Sequence, residues 1–260
     1  MAKKYKTTRL RLYPEPGELA DKGEVYGDIR LPDPAPGPFP YVLINMVGSV
    51  DGRSSVGGKA SGIGGQADRE AMRALRSRVD AVMVGAGTLR AEKLNLGLDG
   101  TGVAQPLAVV AGGAGGLPVL EHLIRPAGQD VILALPRKPM EEHGAATEAG
   151  ESVKTLLCPG PQPGRVDLRR LLRSLKAEHA VDRLLVEGGP GLNRALIDAG
   201  LVDEIFLTVA PKLLLGPEAA IISGAPNTGA QDPRRNHLTL LSVHSSDDDE
   251  LFLRYRLGGP

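Results

Sequence analysis

Three clusters in the 260-residue chain carry residue types that can do chemistry, and each sits where a short apolar run gives way to glycine. The first is Gly48, Ser49, Val50, Asp51 and Gly52, which opens a glycine-rich stretch reaching Gly65. A carboxylate at the root of a loop long enough to close over a ligand can supply or hold a proton. The same Asp-Gly pair also makes an ordinary turn. The second cluster is Gly85, Ala86, Gly87 and Thr88, where glycine lets backbone approach a phosphate or a ring and the following N–H groups can donate to oxyanions. The third runs Glu187, Gly188, Gly189, Pro190, Gly191. Proline suits a first helical turn, and the exposed amides and positive dipole end of such a helix bind an anion without a cationic side chain. Glu187, at the mouth of a buried strand, needs a partner or water; it can bind ligand amines or orient backbone.

Other chemistries find no support. The five histidines show no zinc spacing, and there is no Walker sequence and no G-x-S-x-G, so no metal site is expected. The acidic run Asp247 to Glu250 reads as a solvated turn. Cys158 stands alone, which rules out an intrachain disulfide and fits a strand-end residue. With 31 basic residues balanced by 31 acidic ones and only 3% aromatics, the chain lacks the field and stacking platforms of a nucleic-acid binder. No stretch approaches the ~20 apolar residues of a membrane span, so a cytoplasmic protein is expected.

The elements that must position these clusters alternate. Apolar runs at 41–47, 81–84, 107–111, 131–135, 153–157, 183–186 and 205–209 lack polar alternation, as expected of strands covered on both faces. Between them, residues 167–178 place Leu168, Leu171, Leu172 and Leu175 on one helical stripe behind Asp167 as N-cap. Residues 191–199 repeat that spacing and end at Gly200, and residues 67–77 form a third helix with Met72 and Leu75 inward and its arginines outward. This pattern predicts a three-layer α/β/α domain over residues 41–260, with a mixed, mostly parallel sheet and a C-terminal antiparallel hairpin at 238–245 and 250–257. Residues 1–40 hold seven prolines and read as an extended arm packed on the surface.

Taken in order, these motifs resemble the reductase domain of riboflavin biosynthesis, a dihydrofolate-reductase-like family. The resemblance rests on Asn45 to Gly52, Val79 to Thr88, Leu185 to Pro190, and Val202 to Leu207 followed by Ala210, Pro211 and Lys212. It implies reduction by NADPH of a ribosylaminopyrimidine phosphate, of the 5-amino-6-(5-phosphoribosylamino)uracil type, or of a related compound. It further implies that Gly85, Ala86, Gly87, Thr88, Glu92, Gly188, Gly189 and Gly191 contact NADPH, with Ala111, Gly112 and Gly113 cradling the adenosine side. Asn45, Ser49, Asp51 and Glu187 then face the substrate, with Asp51 supplying a proton or stabilising the electrophile and Glu187 orienting the substrate. Family members are commonly homodimers, and residues 205–215 offer an interface or a core strand. No zinc deaminase signature precedes the reductase motifs, so only the reductase half is expected.

One segment departs from the family pattern. After Thr88 the chain reads Leu89, Arg90, Ala91, Glu92, Lys93, Leu94, Asn95, Leu96, Gly97, without the usual aspartates, proline and following arginine. Arg90, Lys93, Arg53 and Lys59 are the candidates to hold a substrate phosphate. A dihydrofolate or pteridine reductase, and a non-catalytic NADP-binding sensor, are the alternatives.

Overall fold

The structure is a computed structural model, and it describes residues 9–19, 25–27, 29–33, 36–100, 102–112, 122–137, 152–215, 220–222 and 237–258. Along the chain it forms β1 (Leu10–Tyr13), β2 (Gly17–Glu18), β3 (Tyr41–Ser49), α1 (Gln66–Arg76), β4 (Ala81–Gly85) and α2 (Ala86–Ala91). There follow β5 (Leu94–Asn95), β6 (Leu107–Ala111), β7 (Leu123–Ile124), β8 (Val131–Leu135), β9 (Val153–Leu157), α3 (Leu168–His179), β10 (Arg183–Val186) and α4 (Pro190–Asp198). The chain closes with β11 (Glu204–Ala210), β12 (Leu238–Ser245) and β13 (Leu251–Leu257).

Eleven strands make one sheet in the order β2-β1-β12-β13-β11-β3-β10-β4-β6-β8-β9. From β11 to β9 neighbouring strands run parallel, and the other pairs are antiparallel. Each central strand is apolar on both sides, because each is covered twice. Leu43, Val82, Val84 and Leu185 pack under α1 with Ala67, Ala71 and Leu75. Val42, Ile44, Met83, Leu184 and Val186 face Leu171, Leu172, Leu175 and Leu196 of α3 and α4. Truncating one of these fully buried leucines to alanine costs ~2–5 kcal/mol. The mixed α/β/α architecture expected from sequence is the one observed, C-terminal hairpin included.

Local signals set the helix ends. The Asp167 carboxylate accepts from Arg170 N at 3.0 Å and starts α3, and Pro190 occupies the first turn of α4. Past the end of α4, Gly200 takes φ 63°, the left-handed conformation that glycine adopts without steric cost. The chain steps outward through β4, β6, β8 and β9, then returns by α3 to insert β10 between β3 and β4. At that insertion neighbouring connections leave the sheet in opposite directions, which opens a crevice beyond the carboxyl ends of the strands.

Two expectations need correction. The segment before Pro40 does not merely lie on the surface: β1 pairs with β12, and Val25 and Tyr26 are fully buried. The Tyr26 ring stands edge-on to Phe206 and Phe252, 5.0 and 6.0 Å between centroids, within the apolar cluster on the α1 side of the sheet. Proline favours extended backbone, and here the extended backbone pairs. Nor do all arginines of α1 point outward, since Arg76 is buried.

Candidate active site

At the crevice two glycine reversals meet. Gly85 N donates to Gly188 O at 2.8 Å, joining the end of β4 to the end of β10. A Cβ on Gly189 would stand 2.5 Å from Thr88 Oγ1, and one on Gly188, whose φ is 95°, would stand 3.3 Å from Met46 Sδ. Only glycine permits this approach. Around the junction lies a cavity of about 930 Å³, at the upper end of the ~300–1,000 Å³ usual for ligand sites.

The cavity wall collects most residues singled out from sequence. Gly85, Ala86, Gly87, Thr88 and Glu92 line it from β4 and α2, Ala111 and Gly112 from the end of β6, and Glu187, Gly188, Gly189 and Gly191 from the turn into α4. Gly113 lies outside the described residues. Glu92 also accepts from Ala60 N at 3.1 Å, tying α2 to the loop between β3 and α1. Of the four phosphate-anchor candidates Arg90 lines the cavity, whereas Arg53, Lys59 and Lys93 do not. Sequence reasoning missed the stretch from Pro161 to Arg169, whose Arg165 and Arg169 also line it. Its Pro161, Pro163 and Gly164 beyond β9 were a loop signal at the correct end of the sheet.

Glu187 has a partner that the sequence did not reveal. Arg76 grips it in a two-pronged ion pair, Nε to Oε1 at 2.8 Å and Nη2 to Oε2 at 2.7 Å, with both side chains at most 10% exposed. The third guanidinium nitrogen donates to Gly97 O at 2.9 Å. The segment that departs from the family pattern thus supplies a carbonyl holding Arg76, which holds Glu187 at the cavity wall.

Asp51 does not line the cavity. Its carboxylate accepts from Ser49 Oγ at 2.6 Å and from Leu214 N and Leu215 N, each at 3.1 Å. The Ser49 hydroxyl first, then these amides, hold its pKa down at about 2. An acid that stays ionised cannot donate a proton near neutrality; Asp51 fastens the end of β3 to the chain beyond β11. Ser49 is absorbed in the same turn, its Oγ also accepting from Arg53 N at 2.9 Å. Asn45 lies half-buried in β3 on the α1 side.

A carboxyl group absent from the sequence reading, outside the cavity lining, has a strongly shifted pKa. Asp68, in the first turn of α1, is pushed up to about 6, chiefly by burial, with the Thr208 hydroxyl opposing and the charges of Glu250 and Glu187 adding to the rise. Cys158 is buried, and desolvation pushes its thiol up to about 11, away from nucleophilic chemistry. Among the described residues no cluster of His, Cys, Asp or Glu can hold a metal ion, and no helix is long and apolar enough to cross a membrane.

A parallel sheet whose strand order reverses at β10, with two interlocked glycine turns at the crevice, has the α/β/α fold of the dihydrofolate-reductase-like class, and the family and relatives it matches make it a reductase that works with a nicotinamide cofactor. The chain belongs to the RibD C-terminal domain family, whose model matches residues 40–251. It is 30% identical over 183 residues to the 2,5-diamino-6-ribosylamino-4(3H)-pyrimidinone 5′-phosphate reductase of Methanothermobacter thermautotrophicus, covering 69% of this chain and 82% of that one. Against the riboflavin biosynthesis protein RibD of Actinobacillus pleuropneumoniae it is 30% identical over 182 residues, but spans only 47% of that protein. Among solved structures it resembles Acinetobacter baumannii RibD, with TM-score 0.63 and 26% identity over 85% of this chain and 59% of that one. A pyrimidine reductase-like protein of Corynebacterium diphtheriae shares the fold, with TM-score 0.67 and 21% identity over 85% and 93% of the two chains.

Proposed function

We propose that the protein is an NADPH-dependent reductase that converts the ribosylamino side chain of a pyrimidine 5′-phosphate to ribitylamino in riboflavin biosynthesis. What carries the reading is open space in the right places. A Cβ built on Gly87 or Gly191 meets nothing within 4 Å, although both line the cavity, while Gly85, Gly188 and Gly189 are packed against protein. The first pair leaves room for a ligand beside bare backbone, and the second group fixes the turns that expose it. That is the arrangement a dinucleotide needs, and the residues fit one.

In this reading the amides from Gly189 to Gly191 and from Ala86 to Thr88 bind the pyrophosphate. Bound NADPH supplies a hydride. Arg165 and Arg169 suit a ribose phosphate, which favours NADPH over NADH, and Arg90 suits the substrate phosphate. Glu187, fixed by Arg76, orients the pyrimidine from the cavity wall. Fixed positioning of donor and acceptor supplies much of the rate.

A homodimer accompanies this reading. Residues Glu204–Ala210 are an interior strand, so of the stretch proposed as an interface only its end is free: Leu213 and Leu215 are 64% and 83% exposed, beside Val50 at 62%. Sedimentation at micromolar concentration reads the assembly.

The test of function is NADPH oxidation followed by absorbance, with the diaminopyrimidinone phosphate, its deaminated uracil counterpart and dihydrofolate in parallel. Turnover on a pyrimidine phosphate is expected. NADPH binding without oxidation on either pyrimidine overturns the reading. Arg165→Ala is expected to weaken NADPH ~10-fold or more and leave NADH unchanged; equal loss for both removes Arg165 from phosphate recognition.

A further inference from the structure

One wall of the cavity is a loop. Between β3 and α1 the chain places Ser54, Ser55, Gly58 and Ala60 on the cavity, and its tip, residues 56–59, stands exposed. At that tip Val56 N donates to Lys59 O at 2.8 Å and Lys59 N to Val56 O at 3.2 Å, with Gly57 and Gly58 at φ 58° and 78°, a two-residue reversal that glycine makes without strain. Arg165, Arg169, Ala111 and Gly112 line the far end, where the adenosine side of the cofactor goes. The glycine turns follow β4 and β10, which separate β3 from β6, β8 and β9. The loop wall, with Arg90 and Glu187, is therefore the end left for the substrate.

The loop is tethered on both sides of its tip. Arg53 bridges Ala220, and the Ser54 hydroxyl donates to Ala220 O at 3.4 Å. Lys212 Nζ donates to Gly62 O and Ile63 O, each at 2.7 Å, and Glu250 Oε1 accepts from Gly65 N at 2.6 Å. These partners stand outside the cavity lining. The bond from Ala60 N to Glu92 Oε1 is different, because both residues line the cavity and it ties the loop to the α2 wall. Glu92 ends α2 in extended backbone, φ −151° and ψ 153°, and its own N donates to Thr88 O at 3.2 Å. Thr88 is the residue that a side chain on Gly189 would strike. A connected path thus runs from the glycine turns through Thr88 and Glu92 to Ala60.

We propose that Glu92 is a positioning residue, whose carboxylate holds the 54–60 turn in place at the substrate end of the site. This rests on the reductase reading above. A carboxylate accepting from a backbone amide makes the stronger, charge-assisted kind of hydrogen bond. Without it the loop loses its tie to α2, and a substrate that packs against the loop must order it on binding. That cost falls on substrate affinity, before the hydride step. The cofactor turns do not share it: Gly85, Gly188 and Gly189 are fixed by their own packing, and the link from Glu92 to Thr88 is a backbone bond that survives a side-chain change. Glutamine at this position keeps an acceptor oxygen at the same reach, and alanine has none.

Two measurements test it. Amide hydrogen exchange of the ligand-free protein should show Ala60 exchanging ~10-fold faster in Glu92→Ala than in wild type, close to wild type in Glu92→Gln, and α3 unchanged in both. Wild-type exchange at Ala60 in Glu92→Ala overturns the inference whatever the turnover assay gives. In steady state Glu92→Ala should raise KM for the pyrimidine phosphate ~10-fold at nearly constant kcat and NADPH affinity, and Glu92→Gln should recover most of that loss. An unchanged KM overturns the inference, and so does a loss confined to NADPH affinity, which returns Glu92 to the cofactor. Faster exchange at Ala60 in Glu92→Ala, beside a wild type that oxidises no NADPH, overturns the reductase reading, and the substrate role of Glu92 falls with it.

Discussion

Replacing Arg76 with methionine keeps the volume of the side chain and removes its charge from beneath the cavity. Glu187 is then left with a carboxylate at most 10% exposed and no counter-charge, and Gly97 O loses its donor. Removing one partner of a buried ion pair costs ~3–5 kcal/mol, because the cost is the desolvation of the partner left behind. For a domain of this size ~1 kcal/mol is worth ~2–4 °C, so Arg76→Met should lower the thermal midpoint by ~6–20 °C. Three residues back on the same helix, Arg73 and Asp99 form a pair 3.4 Å apart with side chains 48% and 73% exposed, and Arg73→Met should cost no more than ~1 kcal/mol. The assay is chemical denaturation of Arg76→Met, Glu187→Gln and the double variant, which together give the coupling energy. The double variant should be more stable than the sum of the single losses implies, by ~2 kcal/mol or more. If Arg76→Met costs no more than Arg73→Met, the pair does not hold Glu187 and the reasoning fails.

Other outcomes follow from the same geometry. Asp51→Asn should leave the pH profile of kcat unchanged and make the chain near Leu214 more sensitive to limited proteolysis; a changed pH limb would return Asp51 to the chemistry. Gly191→Val should weaken NADPH ~10-fold or more at an unchanged thermal midpoint, because its Cβ enters open cavity, whereas Gly189→Val should also lower the midpoint by striking Thr88. Equal midpoints for the two would contradict the packing. Raised from 3.8 to about 6, the Asp68 carboxyl binds its proton more tightly in the folded state than in the unfolded chain. Its burden on stability is therefore absent below pH 4, grows as pH rises to 6 and is complete above. Asp68→Asn should stabilise the protein at pH 8 by up to ~3 kcal/mol, at ~1.4 kcal/mol per pKa unit, and have no effect near pH 3.5. Denaturation at both pH values checks this, and a stabilisation independent of pH would refute it.

Nine of the eleven strands of the sheet were legible to within a residue or two, the central ones because strands covered on both faces write nearly unbroken apolar runs. Helix α3 was legible through its leucine stripe and Asp167, both local signals. Partnerships across long sequence separations were not. Arg76 sits at the end of a helix whose other arginines reach solvent, and what buries it is a glutamate 111 residues away and a carbonyl from an atypical loop. Asp51 has the type and place of a catalytic acid, yet amides 163 and 164 residues further on absorb it. Asp68 carries no local mark, since an aspartate in a first helical turn is the commonest of surface residues. The proline-rich beginning speaks for extended backbone but cannot announce that β12, near the other end of the chain, will pair with it.

Helix α1 carries both Arg76 and Asp68, and it is moored from the two extremities of the chain. Glu250 accepts from Gly65 N at 2.6 Å at its head, while Arg9 spans Glu70 and Asp247. The family match begins at residue 40, so Arg9 and Tyr26 lie outside the matched residues. A polypeptide trimmed to start at Pro40 would keep every group lining the crevice yet lose the Arg9 mooring of the helix on which Arg76 and Asp68 ride.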